Sequence, residues 1–450
     1  MANTLLTRDQ AKALTDRVLG FATADETRVN LSAGWSGNTR FAGNEITTAG
    51  GTTDVRVTVT STVGKRRASV TTNVLDDEAL KRTVDQAQRL ARLAPEDAEF
   101  LPEPGPQQYA TVSAYSEATA DLTPEARALA VERVLAGVRE AGAAAGTSTD
   151  DLFVAGFLEA SAGVGSAVAN SRGLFAYHPS TNVDLSVTVR TPDGTGSGYV
   201  AQGANDWAAL DPQAMGRRSA QKGMSSRDPQ TLEPGRYTVI LEPQAVSDFI
   251  PALRGALNAR SADEGRSPFS APGGGTKVGQ KIADERVTIL SDPTDPELLT
   301  SPFDNEGLPN KGAVWIENGI LRNLAYTRWW ARKQGKEANG GGGLKMLGTN
   351  RTLEQLIAGT DRGILVTRFW YIRSLEARTV TLTGLTRDGT FLVENGRITR
   401  PLKNFRWNDS PLLALNRIED IGQTERVSSG IVMPSLKIRD FNFTSLSDAV

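Results

Sequence analysis

Apolar positions recur along this chain at two spacings, and its first half alternates between them. A Thr7-x-x-Gln10 capping box opens an amphipathic helical pattern, after which "RVNLSAGW" and "DVRVTVTSTVG" alternate apolar and polar residues as half-buried strands do. "DDEALKRTVDQAQRLARLAP" places acids first, bases later and proline last, the order a helix dipole favours. A proline-rich connection leads to a second predicted helix, from Thr123 with Pro124 in its first turn to about Gly142. Strands return in "LFVAGFLEAS", "GSAVANSRGLFAYH" and "VDLSVTVRTPDG". The pattern predicts an α+β unit over 1–229, helices packed on antiparallel hairpins, ending in the polar stretch "KGMSSRDPQTLEPG".

The second predicted unit, 235–450, is rich in strand. It opens with "PGRYTVILEPQAVSDF", a turn, a short apolar strand and the start of a helix expected to run to about Asn258. The strand end and the helix's first turn would point Glu242, Pro243, Gln244, Ser247 and Asp248 into one crevice. Asn318-Gly319 and Asn395-Gly396 each sit between short apolar runs, the strongest local signal for a two-residue hairpin turn, and Asp388-Gly389 is expected to be another. The Gly-rich "NGGGGLKMLGTN" is either a mobile surface loop or a place where another backbone comes close.

Composition narrows the chemistry. The 450 residues carry a net charge of -2, with 39% hydrophobic and 23% charged positions, so no global field draws nucleic acid or anionic lipid. No apolar run approaches the roughly 20 residues that cross a bilayer, and the amino terminus lacks the pattern of an export signal; a cytoplasmic protein is expected. Zero cysteines exclude disulfides and thiolate ligands, and a single histidine, His178, is too little for an ordinary zinc site. His178 is expected to be structural or merely exposed, and no Gly-x-Ser-x-Gly elbow or phosphate loop is present. The acids Asp292, Asp295, Glu297, Asp304 and Glu306 match no EF-hand spacing and read as turn residues. "Lys65-Arg66-Arg67" reads as a solvated hairpin tip, while "YTRWWARKQG" and "RFWYIR" read first as core and second as interface.

The order of "SDPTDPELLTSPFDNEGLPNKGAVWIENGILRNLAYTRWWA", "GILVTRFWYIRSLEARTVTLTGLTRDGTFLVENGRITRPLKNFRWNDS" and "MPSLKIRDFNFTS" resembles the TldD/PmbA family over about residues 235–450, and more weakly before that, mainly at "ANSRGL". The resemblance implies one of two subunit kinds. TldD-like subunits are zinc metallopeptidases with His-Glu-x-x-x-His on the helix after the first C-terminal strand; PmbA-like (TldE) subunits lack the ligands and pair with them. Laid on this chain, the motif falls approximately on Pro243–Asp248, where both histidines are missing and Gln244 stands for the general base. "RVSSGIVMPSL" lacks the family's late cysteine. Pro243, Gln244, Ser247 and Asp248 are thus expected to mark a vacant site with no catalytic residue, metal or other cofactor. A homodimer, or a heterodimer with a TldD-like metallopeptidase acting on extended peptides, is what the resemblance implies; an independent non-zinc hydrolase and a peptide-binding scaffold are the alternatives.

Overall fold

The computed structural model describes residues 6–147 and 152–448, which build two sheets. The first is antiparallel, in the order β3-β2-β1-β4-β5-β6. Its strands are β1 Glu26–Ala42, β2 Glu45–Val63, β3 Arg66–Thr72, β4 Phe153–Asn170, β5 Phe175–Arg190 and β6 Ser197–Ala204. The helices α1 Arg8–Gly20, α2 Asp77–Leu93, α3 Glu117–Ala120, α4 Pro124–Ala144 and α5 Pro212–Ser225 complete this unit. Alternation along β1 turns Val29, Leu31, Ala33, Trp35 and Phe41 inward, where the first three join the α1 and α2 cluster and the last two the α4 and α5 cluster. The Thr7–Gln10 capping box forms as expected, and Thr123 caps α4 ahead of Pro124.

Two departures concern elements that the spacing misplaced. "LFVAGFLEAS" and "GSAVAN" form one continuous strand, β4. Lys222–Ser225, expected to open a polar separator, instead end α5. That helix has little apolar periodicity and is held by close approach: a Cβ on Gly137 of α4 would lie 1.9 Å from the Gln213 carbonyl oxygen, and one on Gly216 would lie 2.1 Å from that of Val134.

The second sheet contains β7 Gly235–Leu241, β8 Ile289–Ser291, β9 Ala313–Glu317, β10 Ile320–Leu321, β11 Leu344–Met346, β12 Arg362–Glu376, β13 Thr381–Glu394, β14 Arg397–Pro401, β15 Asn404–Asp409, β16 Ile418–Ser428 and β17 Ile431–Ser447. Because β17 pairs with both β7 and β15, the strands β7, β12, β13, β15 and β17 close into a ring. Helix α6, Pro243–Phe249, rides on it.

Asn318-Gly319 and Asn395-Gly396 adopt the positive φ values that their hairpins require. Asp388-Gly389 corrects the expectation of a third turn: both residues have positive φ, yet β13 runs straight through them, and β12 slips register opposite, between Val366 and Arg368. The predicted helix to Asn258 is also corrected. It breaks at Pro251, which has no N–H for the Ser247 carbonyl, into α6, a 3₁₀ turn Ile250–Ala252 and α7 Leu253–Ala256. The Gly-rich segment proves to be a close approach: a Cβ at Gly343 would lie 2.7 Å from the Gly430 carbonyl oxygen, and one at Gly342 would lie 1.9 Å from Thr300 Oγ1. Trp330 and Phe369 are buried, while Trp370 and Tyr371 stay exposed.

Candidate functional site

Strand β7 lies between β12, its parallel neighbour, and antiparallel β17, and its end at Leu241 delivers Glu242 to the N-cap of α6 with Pro243 in the first turn. One face of α6 is fixed by Phe249, whose ring meets those of Phe369, Trp407 and Phe441 at 5.9, 5.4 and 5.8 Å between centroids. The other face carries Gln244, Ser247 and Asp248, which helical spacing sets side by side. Gln244 Nε2 donates to Asp248 Oδ1 at 2.9 Å, and Ser247 Oγ donates to the Gln244 carbonyl at 2.7 Å. Asp248 Oδ2 accepts from the Phe369 N–H at 3.0 Å. Buried Gln244 Oε1 has no hydrogen-bond partner among the described residues.

Burial pushes the Asp248 carboxyl up to about 6; the Phe369 N–H, Gln244 and Arg368 pull the other way, and Asp388 adds to the rise. Asp388, buried in the β13 bulge, accepts from Ser197 Oγ of β6 at 2.6 Å and from Arg368 Nη1 at 2.8 Å. The Arg368 guanidinium also stacks over Tyr199, 3.7 Å from the ring centroid. The bulge thus ties the two sheets together beside α6. A cavity of about 200 Å³ opens next to it, lined in part by Ser197, Ser226, Asp388, Gly389 and Lys403.

At the N-terminus of α6, buried Glu242 accepts from Lys222 Nζ at 2.6 Å, and Arg218 lies 3.6 Å away while also pairing with Glu425 of β16 at 3.2 Å. A carboxylate at this cap is favoured by the helix dipole as well as by the two cations. Helix α5 therefore joins the start of α6 to β16. Sequence reasoning missed Lys222 and Arg218 because it missed α5. It missed Arg368 and Asp388 because Asp-Gly was taken as a turn; the strand-like residues that continue on both sides of it, "TLTGLT" and "TFLVE", were the available signal.

The zinc that the resemblance gives to TldD-like subunits does not fit these residues. Pro243 has no donor, the Ser247 hydroxyl and Gln244 amide are tied within α6, and Asp248 is the single carboxylate of the face, held by Phe369 and Gln244. His178 is buried on β5 in the other sheet, where desolvation lowers its pKa. No cluster of three His, Cys, Asp or Glu suited to a metal occurs among the described residues. The acids after residue 290 serve turns and ion pairs: Asp292 bonds Thr294, Asp304 bonds the Glu306 and Leu308 N–H groups, and Asp295 and Glu297 pair with Lys345. At the basic tip, Arg66 and Arg67 are drawn back onto Arg92 and Leu101 carbonyls. No helix among the described residues is long and apolar enough to cross a membrane.

Comparison with known proteins follows this architecture. The chain is similar over 92% of its length to the metalloprotease PmbA homolog of Haemophilus influenzae, at 23% identity and 91% coverage of that protein. A metalloprotease of Methanothermobacter thermautotrophicus is 26% identical over 59% of this chain, the match spanning 61% of the relative. With a TldD homolog of Buchnera aphidicola the chain spans 44% of the relative's length. The crystal structure of TldE from Thermococcus kodakarensis shares the fold, with a TM-score of 0.82 at 19% identity over 96% of this chain and 99% of that one. Residues 28–91, 121–227 and 234–445 match, in order, the family models for PmbA/TldA metallopeptidase domain 1, central domain and C-terminal domain, and the chain belongs to the PmbA/TldD family.

Proposed function

We propose that this chain is the zinc-free, PmbA/TldE-like subunit of a cytoplasmic peptidase, built of units 1–229 and 235–450. It pairs with a TldD-like metallopeptidase and helps to shape the channel that receives an extended peptide. The observation that carries this reading is the face of α6, where Ser247 bonds the Gln244 carbonyl and Asp248 is held by Gln244 and the Phe369 amide, so that the face offers one carboxylate and no histidine or cysteine for zinc. The test is to purify the chain alone and co-expressed with a TldD-like subunit from its own cell. The chain alone should hold no stoichiometric zinc and cleave no unstructured peptide, whereas the pair should co-elute and cleave. About one tightly held zinc per chain, or full activity of the chain alone, sinks the proposal.

The placement of Asp248 beside Ser247 on the α6 face favours a second reading, an independent hydrolase without zinc: burial pushes this carboxyl up to about 6, a suitable range for a general base. Activity of the isolated chain that is lost in Asp248→Asn would select it.

A further inference from the structure

Three Asn-Gly steps occur in this chain, at Asn318, Asn339 and Asn395, and the fold treats one of them differently. Such a step carries a nucleophile beside an electrophile: the glycine nitrogen, once deprotonated, reaches the asparagine Cγ, and glycine has no Cβ to obstruct it. A folded chain blocks the reaction with an acceptor that holds the glycine N–H and with a backbone that keeps the nitrogen turned away from Cγ.

Both hairpin steps are blocked in these two ways. The Gly319 N–H donates to the Val287 carbonyl at 2.9 Å, and the Gly396 N–H donates to the Thr360 carbonyl at 2.9 Å. Asn318 and Asn395 sit at φ 49° and 50° in two-residue turns that the flanking strand pairs enforce. Each turn is also packed: a Cβ at Gly319 would lie 2.3 Å from the Ala283 carbonyl oxygen, and one at Gly396 would lie 2.7 Å from that of Ala358.

Asn339 is blocked in neither way. Gly340 is exposed, its N–H donates to no acceptor among the described residues, and a Cβ there would find only Asn310 Oδ1, at 3.7 Å. Asn339 itself is not at positive φ. The Tyr326 N–H donates to Asn339 Oδ1 at 2.8 Å, and the Asn339 N–H donates back to the Tyr326 carbonyl at 3.3 Å. A donor on Oδ1 draws electrons from Cγ and stabilises the negative charge that attack there places on the oxygen. The leaving group, Nδ2, is held by nothing among the described residues.

We propose, independently of the peptidase reading, that Asn339 is a site of spontaneous deamidation through a succinimide, while Asn318 and Asn395 are spared. Hydroxide removes the Gly340 N–H proton, and the nitrogen bonds to Asn339 Cγ. The Cγ–Nδ2 bond then breaks, and Nδ2 leaves as ammonia after taking a proton from water, which restores the hydroxide. Water opens the succinimide at either carbonyl, leaving aspartate or an isoaspartate whose Cβ has entered the main chain. The longer main chain cannot keep both bonds to Tyr326, so the four-glycine segment comes away from the chain that precedes the helix Arg328–Gln334.

Trypsin separates the three steps, since residues 312–322, 337–345 and 388–397 are each released as one peptide. After the folded chain is aged at mildly alkaline pH in heavy-oxygen water, peptide 337–345 should carry the heavy label and the mass of an acid in place of an amide. The other two should convert at least roughly ten-fold more slowly, the factor that a held N–H and a turn to be opened are worth. In urea, where neither survives, the three should convert at comparable rates. Gly340→Ala, for which there is room, should slow conversion at 339 and leave the fold unchanged. The deamidated form, separated by its added negative charge, should be cut by trypsin after Lys336 several-fold faster than the parent. Equal rates at the three positions in the folded chain, the same order of rates in urea, an unchanged rate in Gly340→Ala, or a deamidated form cut no faster than the parent would each overturn the proposal.

Discussion

Asp248 shows how one side chain couples the polar face of α6 to stability. Its native carboxyl titrates at about 6, against about 3.9 in an unfolded chain. Between those values the folded protein holds a proton that the unfolded protein has released, so stability falls as pH rises through the window, by up to about 3 kcal/mol. Asp248→Asn should abolish that slope and stabilise the chain at pH 7.5 relative to pH 4.5, as urea titrations at the two pH values would read; an unchanged slope assigns the effect elsewhere. The Asn amide can also serve Gln244 Oε1, which lacks a partner, while its oxygen keeps the Phe369 N–H. At the cap of α6, Lys222→Met should cost about 3 kcal/mol, because Glu242 stays buried and Arg218 is left as its cation at 3.6 Å. A double mutant with Glu242→Gln should recover much of the loss. The spacing of Gln244 and Asp248 was legible in the sequence; the bond from Phe369 of β12 and the pairing of Glu242 with α5 were not, since each joins residues far apart in the chain.

Among the elements, those with a local cause were legible and those with a tertiary cause were not. The α1 box, the Thr123 cap and both Asn-Gly hairpins follow from groups within a few residues of each other. Helix α5 depends instead on two glycines that let it sink against α4. Gly137→Ala should push the helices apart and cost about 1–3 kcal/mol, measured by thermal or chemical unfolding. The same change at Gly20, whose Cβ would meet nothing within 4 Å, should cost far less. Equal effects at the two positions would remove close packing as the reason for α5.

For the whole molecule, the seam between the sheets rests on Asp388 with Ser197 and Arg368, on Glu242 with Lys222 and Arg218, and on the 94–116 connection, from which Tyr109 donates to the Gly307 carbonyl at 2.7 Å. Asp388→Ala removes the acceptor of both Ser197 and Arg368 and leaves a half-buried cation without its carboxylate. Trypsin cleavage after Arg227, in the connector between the sheets, should accelerate several-fold in this variant while far-UV circular dichroism stays near that of the parent. An unchanged cleavage rate would mean that the seam holds without Asp388.

The sequence by itself determined the period of the long strands and of α1, α2 and α4, the caps of α1 and α4, both Asn-Gly turns, the absence of thiolate chemistry and, through the order of its motifs, the family. Each of these is written in neighbouring residues or in composition. Only the tertiary structure decided that Asp388-Gly389 bends a strand rather than ending it, that the glycines after Gly340 touch other chain rather than solvent, and that Asp248 meets the Phe369 amide. The physical reason is the same in each case. A positive φ, a missing side chain or a polar group records what its own residue permits, and the outcome depends on which distant backbone or carboxylate the closed ring and α5 bring against it.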